Sequence, residues 1–230
     1  MKERGKLIIF DWDDVFTRGS IKGYYASYHA ALHDVGISLP PDEEDRRIKA
    51  KWGAGGKKQL EYLLQEHPAL VDRAYEVYHQ HAHGPTFVNQ LSIVPDSQEF
   101  LRSIATKHTL AIATGAHPQV LHDLVMPKFH IPDVFAKIMT IYDLDDMAHA
   151  KPHPYMAQAI MKELGFTPEE SVLVGDAATD IQMAQGAGIE PVAVLTGHLN
   201  RQEAEELGVR YIIDQVTELE PVLEQIFPVG

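Results

Sequence analysis

From about Val94 onward, short apolar runs alternate with stretches of helical periodicity, and this rhythm constrains the fold more than any other feature. The apolar runs are Leu110–Ala113, Ile138–Ile141, Ser171–Val174, Val192–Leu195 and Tyr211–Ile213. Helical patterns lie between and after them at Ser97–Thr106, from Pro118, at Pro154–Leu164, Ile181–Ala187, Arg201–Leu207 and Glu218–Ile226. Gly165 and Gly188 stand where helix C-caps are expected. Such βα alternation predicts a parallel sheet covered by helices on both faces. A further apolar run, Leu7-Ile8-Ile9-Phe10, supplies a strand near the amino end. Between it and Val94, Tyr24, Tyr25, Tyr28, Ala31 and Leu32 recur at helical spacing, as do Leu60, Leu63 and Leu64, and Val71, Ala74, Tyr75 and Tyr78. No strand pattern interrupts them. The expected fold is therefore α/β, a doubly wound parallel sheet core with a small inserted helical domain. The boundaries expected are 1–16 and 94–230 for the core and 17–93 for the insertion.

The first strand ends abruptly in Asp11-Trp12-Asp13-Asp14-Val15. Residues two apart on a strand face the same way, so Asp11 and Asp13 are expected to project together from its carboxyl end. In an open parallel sheet that edge is where ligands bind. Two carboxylates so close repel unless a cation or a shared proton compensates, which predicts a divalent metal, an acid/base couple, or both. Three other segments place polar residues after apolar strands: Thr114-Gly115, Lys151-Pro152 and Gly175-Asp176-Ala177-Ala178-Thr179-Asp180. Asp11, Asp13 and Asp176 make a hard, oxygen-rich set of the kind Mg²⁺ prefers. A hydroxyl at Thr114 and an ammonium at Lys151 suit phosphoryl oxygens, and phosphoryl transfer is catalysed chiefly by positioning and charge neutralisation.

In these segments, in this order, the chain resembles the haloacid dehalogenase superfamily, in its phosphatase branch with a helical cap after the first motif. The first motif is Asp11-Trp12-Asp13-Asp14-Val15, the second Thr114, the third Lys151-Pro152-His153-Pro154, and the fourth Gly175-Asp176…Asp180. The resemblance spans nearly the whole length and implies a Rossmann-like core. It implies that Asp11 attacks phosphorus to form an aspartyl-phosphate, and that Asp13 protonates the leaving alcohol and then activates water. Thr114, Gly115 and Lys151 would hold the phosphoryl oxygens. Asp11, the backbone carbonyl of Asp13 and Asp176 would bind Mg²⁺, with Asp180 supporting the metal indirectly. Asp14 departs from the family pattern, which usually has Gly there. The insertion implies a specificity loop at Ala50–Lys58, in which Lys51, Lys57 or Lys58 would meet a second anionic group. The expected activity is Mg²⁺-dependent hydrolysis of a small phosphorylated metabolite. A phosphosugar mutase, and a non-catalytic phospho-aspartate signalling or binding protein, are the alternatives.

Composition narrows the partners. The 230 residues are 45% hydrophobic, enough for a sizeable core. A formal net charge of −13 argues against nucleic acid. The absence of cysteine excludes disulfides and thiolate metal sites. No apolar run is long enough to span a bilayer, and Met1–Lys6 leaves no room for a signal peptide before the first strand, which together lead to an expected cytoplasmic location. His79-Gln80-His81-Ala82-His83 reads as a solvated helix end, with His79 and His83 on one face. His117 reads as a surface residue at a helix start, and Trp12 as a packing residue pointing away from the two aspartates.

Overall fold

The computed structural model describes residues 5–50 and 56–228. They divide into two compact units, one containing residues up to Arg18 and from Ser92 onward, the other Gly19–Leu91.

The first unit is built on a six-stranded parallel sheet. In chain order its elements are β1 (Leu7–Phe10), β2 (Thr17–Arg18), β3 (Ser92–Ile93), α6 (Ser97–Ile104), β4 (Thr109–Thr114), α7 (Met126–Lys128), β5 (Phe135–Thr140), α8 (Tyr155–Leu164), β6 (Ser171–Gly175), α9 (Ala178–Ala187), β7 (Glu190–Val194), α10 (Arg201–Glu206), β8 (Tyr211–Ile213) and α11 (Leu219–Ile226). The second unit carries α1 (Ser20–Asp34), α2 (Pro41–Ala50), α3 (Gly56–Leu63), α4 (Val71–Ala82) and α5 (Pro85–Val88). The sheet order is β5-β4-β1-β6-β7-β8, so the chain runs outward from β1 on one side and then returns to fill the other. In such a doubly wound sheet the ligand crevice lies beyond the strand carboxyl ends.

Burial explains why these strands read as continuous apolar runs. Every residue of β1 and β6 is buried, because helices cover both faces of a parallel sheet. Leu7 and Ile9 pack with Met156 and Ile160 of α8 and Met183 and Ala184 of α9. Alternation sends Phe10 to the opposite face, where it meets the Phe16 ring at 5.0 Å. Trp12 shares that direction and packs on Phe16 at 5.3 Å, away from Asp11. Gly165 and Gly188 close α8 and α9 in the left-handed conformation, as their positions in the sequence indicate.

Two local features differ from the sequence expectation. A two-residue antiparallel ladder joins Thr17–Arg18 to Ser92–Ile93, inside a stretch expected to hold no strand after residue 16 and before 94. The segment after Pro118, expected as an ordinary helix, is π-helical over Val120–Val125 before α7. Its wider turn preserves the apolar face, with Val120, Leu121 and Val125 buried.

The helical unit buries the stripe seen in the sequence. Tyr28, Ala31 and Leu32 of α1 pack with Leu60, Leu63, Leu64, Val71, Ala74 and Tyr78, and Tyr28 stacks on Tyr78 at 4.4 Å. Arg47 is buried among them; its guanidinium pairs with Glu43 and with Glu66 at 2.6 Å and donates to the Leu63 carbonyl at 3.0 Å. No helix among the described residues is long and apolar enough to cross a membrane.

Candidate active site at the strand carboxyl ends

The register aligns the ends of the central strands. Phe10 lies opposite Ile112 of β4 and Val174 of β6, and Asp11 continues the ladder by donating its N–H to the Val174 carbonyl at 2.9 Å. Asp11 therefore leaves the sheet beside Ala113-Thr114 on one side and Gly175-Asp176 on the other. The chain then turns sharply, with the Trp12 carbonyl accepting from Val15 and Phe16. Asp14 sits in this turn with φ 55°, a left-handed conformation that Gly adopts freely and Asp better than most residues.

Lys151 organises the charges. Its ammonium lies 2.7 Å from Asp11 Oδ1 and 2.7 Å from Asp180 Oδ1, with the lysine and Asp11 side chains each 12% exposed. Burial alone would lower the lysine, but Asp11 and Asp180 outweigh it and hold the ammonium above its usual range. Asp180 reaches the lysine because α9 starts at Ala178 and its carboxylate also caps the turn, accepting from the Ala177 N–H at 3.2 Å. Gly175 makes the fit possible: a Cβ there would stand 2.3 Å from the Asp180 Cβ.

The remaining carboxyl groups are held against their ordinary ionisation. Burial, then the charges of Asp11 and Asp14, push Asp13 up to about 7, against the pull of Lys151. Burial, then Asp11 and Asp180, push Asp176 well above the carboxylate range, although the His198 N–H donates to its Oδ2 at 3.0 Å. Asp180 is raised by its own burial, which Lys151 only partly offsets. Thr114 is buried at the end of β4, opposite Thr140, and its hydroxyl accepts from the Ala116 N–H at 3.1 Å. Gly115 follows it on the exposed side, with open space where a side chain would start.

Asp11, Asp176 and Asp180 each offer a carboxylate oxygen within 4.8 Å of the others. Asp176 is 2% exposed and Asp180 1%. Clustered hard donors whose buried charges repel one another fit a small divalent cation such as Mg²⁺. Asp180 thus stands in the same group as Asp11 and Asp176. The Asp13 side chain is outside it, and the sequence reading gave Asp13 to the metal through its backbone carbonyl.

Lys57 pairs with Asp72 at 2.8 Å in the helical unit, and Lys51 lies outside the described residues. His79 and His83 do share a helix face, their Nδ1 atoms 3.4 Å apart, while His81 bridges Asp34 and Thr86. His117 packs edge-on against Tyr142 at 4.6 Å. His198, whose backbone N–H meets Asp176 Oδ2, was not singled out by the sequence. It follows β7 in Thr196-Gly197-His198, and only its neighbours in space mark it out.

The model for haloacid dehalogenase-like hydrolases matches residues 6–188, and the chain belongs to that family. Among curated proteins it is 30% identical to Pyrophosphatase PpaX of Bacillus mycoides over 158 residues, 68% of this chain and 71% of that protein. The corresponding match to the Bacillus cereus protein of that name is also 30% identical and covers 65% of it, so the aligned stretch spans about two thirds of such relatives. The fold is shared with a subfamily IA haloacid dehalogenase hydrolase from Geobacter sulfurreducens, at a TM-score of 0.74 and 21% identity over 97% of this chain and 100% of that one. A hydrolase from Pseudomonas syringae gives a TM-score of 0.71 and 24% identity, covering 96% and 99%.

Proposed function

We propose that this chain is a Mg²⁺-dependent phosphatase that hydrolyses a small phosphorylated metabolite through a phosphorylated Asp11. The observation that carries the reading is the unequal surroundings of two neighbouring aspartates. Asp11 is held beside an ammonium at 2.7 Å, whereas Asp13 is pushed up to about 7. The first is placed against the lysine that would also meet the phosphoryl group; the second keeps a proton to give near neutral pH.

In the first step an Asp11 oxygen attacks phosphorus, and the P–O bond to the leaving group breaks. Asp13 donates its proton to the departing oxygen. In the second step Asp13, now ionised, takes a proton from water, whose oxygen attacks the same phosphorus and releases Asp11 and phosphate. Lys151 neutralises the incoming phosphoryl oxygens, which would otherwise be repelled by Asp11, and the Thr114 hydroxyl orients one of them. Asp11, Asp176 and Asp180 would hold Mg²⁺, with the Asp13 carbonyl as a further ligand; when bound, the ion neutralises phosphoryl charge.

The likeness to proteins named pyrophosphatase favours a second reading, in which the leaving group is a phosphate and the bond broken is a phosphoanhydride. Phosphate release from pyrophosphate and from a panel of phosphate monoesters, with Mg²⁺ and with EDTA, separates the two. Turnover is expected to vanish in EDTA and in Asp11→Asn. Full activity in Asp11→Asn overturns the nucleophile, persistence in EDTA overturns the metal, and sugar phosphate isomerisation without phosphate release makes the protein a mutase.

A further inference from the structure

The helical unit holds a cleft that the proposed hydrolysis does not use. It has a volume of about 300 Å³, and its walls include Tyr25, Ala26 and His29 of α1, Leu39 of the connection, and Glu44 and Ile48 of α2. Most of that lining is apolar, and one buried acid interrupts it: Glu44 is 8% exposed. We propose that this cleft binds a small organic monocation, an amine with an aromatic or branched aliphatic body, whose ammonium meets the Glu44 carboxylate.

Charge, shape and size each point to that class of ligand. A glutamate is rarely so buried unless a cation meets it. Glu44 Oε1 lies 3.0 Å from His29 Nδ1, and among the described residues no lysine or arginine pairs with it. The two arginines of α2 are engaged elsewhere: Arg46 with Glu43, and Arg47 with Glu43 and Glu66. His29 is a partial answer, because its side chain is 72% exposed and an imidazole carries charge only when protonated. A carboxylate accepts about four hydrogen bonds, so this one contact leaves room for an ammonium, whose charge-assisted bond is about twice as strong as a neutral one. Asp45 also lines the cleft and adds to its negative field. An anionic ligand would meet that field, and a neutral one would cover Glu44 without pairing it. A bare divalent ion requires about six oxygen ligands, which walls of Leu39 and Ile48 do not offer. Ligand pockets begin near ~300 Å³, and a cavity of ~150 Å³ accepts benzene, so a ring and a short aminoalkyl arm match the space.

All of these residues lie within Gly19–Leu91, so the site stands or falls independently of the hydrolytic reading. The full chain, labelled with nitrogen-15, is titrated near neutral pH with 2-phenylethylamine, 2-phenylethanol and phenylacetate, and the backbone amide shifts are followed. The amine is expected to give saturable shifts in α1 and α2, with the alcohol and the acid binding at least tenfold more weakly. Glu44→Gln keeps the side-chain size and an acceptor for His29; it should weaken the amine at least tenfold and bring it level with the alcohol. Ala26→Leu fills the cleft from α1 with a good helix former and should weaken amine and alcohol alike. An amine that gives no saturable shift in α1 and α2 overturns the proposal. So does an alcohol bound as tightly as the amine, or an amine affinity unchanged by Glu44→Gln. Shifts confined to the strand ends around Asp11 and Asp176 also overturn it, because the amine is then only a counter-ion to the acidic cluster.

Discussion

Gly197→Ala tests how closely the metal ligands are held. The added Cβ would stand 1.9 Å from Asp176 Oδ2, 2.5 Å from its Cγ and 2.7 Å from its Cβ. Ordinary contacts begin near ~3.4 Å, so about 1.5 Å of movement is needed in an interior packed as tightly as a crystal. Asp176 is too short and too buried to bend away at its tip. Either its carboxylate rotates or the Thr196–His198 loop lifts, and both break the 3.0 Å bond from the His198 N–H. Metal sites tolerate ligand displacements of only ~0.2 Å. A shift several times larger should weaken Mg²⁺ binding by about 10–100-fold, the range seen when groups that position a ligand are removed. Calorimetric titration of Mg²⁺ into the wild type and the variant measures this directly. Urea unfolding in EDTA provides the folding control, with an overpacking cost of about 1–3 kcal/mol expected. A Mg²⁺ affinity unchanged in a folded Gly197→Ala chain refutes the claim that the loop's approach positions Asp176 as a ligand.

Three other perturbations probe the charge cluster and its surroundings. In EDTA, stability should rise as pH falls from about 8 to about 5. The folded chain takes up a proton at Asp13 near 7, the unfolded chain only near its ordinary 3.8, and the gap is worth up to about 4 kcal/mol. Carboxylates depressed by ion pairs, such as Glu43 and Glu66, lose their contribution only at lower pH. Urea midpoints across that window read the slope, which Mg²⁺ should flatten and Asp13→Asn reduce; a flat profile in EDTA counts against the weakened acidity of Asp13. Lys151→Met should cost about 3–5 kcal/mol at pH near 8, because Asp11 and Asp180 are left without their ammonium, and adding Asp180→Asn should recover part of it. An unaltered unfolding midpoint in Lys151→Met would show that the pair contributes nothing. Trp12→Phe should be nearly neutral in thermal unfolding: the buried indole N–H has no acceptor among the described residues, so the ~1–3 kcal/mol cost of that donor disappears and offsets the lost volume. Trp12→Ala should cost about 3–5 kcal/mol, and equal losses for the two variants would exclude this account.

What could be read from the sequence was whatever a single strand end displays. Asp11, Thr114 and Asp176 each interrupt an apolar run, and a polar residue at such a point announces itself. The parallel sheet was legible for the same reason, since strands buried on both faces read as unbroken apolar runs. Lys151 was harder. It lies well beyond β5, after two short 3₁₀ turns at Ile141–Asp143 and Met147–His149, and only the Lys-Pro resemblance marked it. The contact between Asp180 and Lys151 depends on how α9 leaves β6 over Gly175, a packing detail that no one-dimensional pattern carries. His198 had no motif to betray it. The Thr17–Arg18 and Ser92–Ile93 strands are too short to show an alternation.

That short ladder has a consequence for how such a chain can be assembled and altered. It pairs Thr17 with Ile93 and Arg18 with Ser92, so the path leaves the sheet unit and comes back to it at adjacent points. For the residues on either side, an excursion of about 70 residues is equivalent to a tight turn, and the slow logarithmic growth of loop entropy makes its length a minor burden. Whatever lies between Gly19 and Leu91 can therefore be lengthened, shortened or exchanged as a cassette without changing which strands must find each other. Replacing it with a two-residue turn leaves every pairing of the parallel sheet available to the remaining sequence.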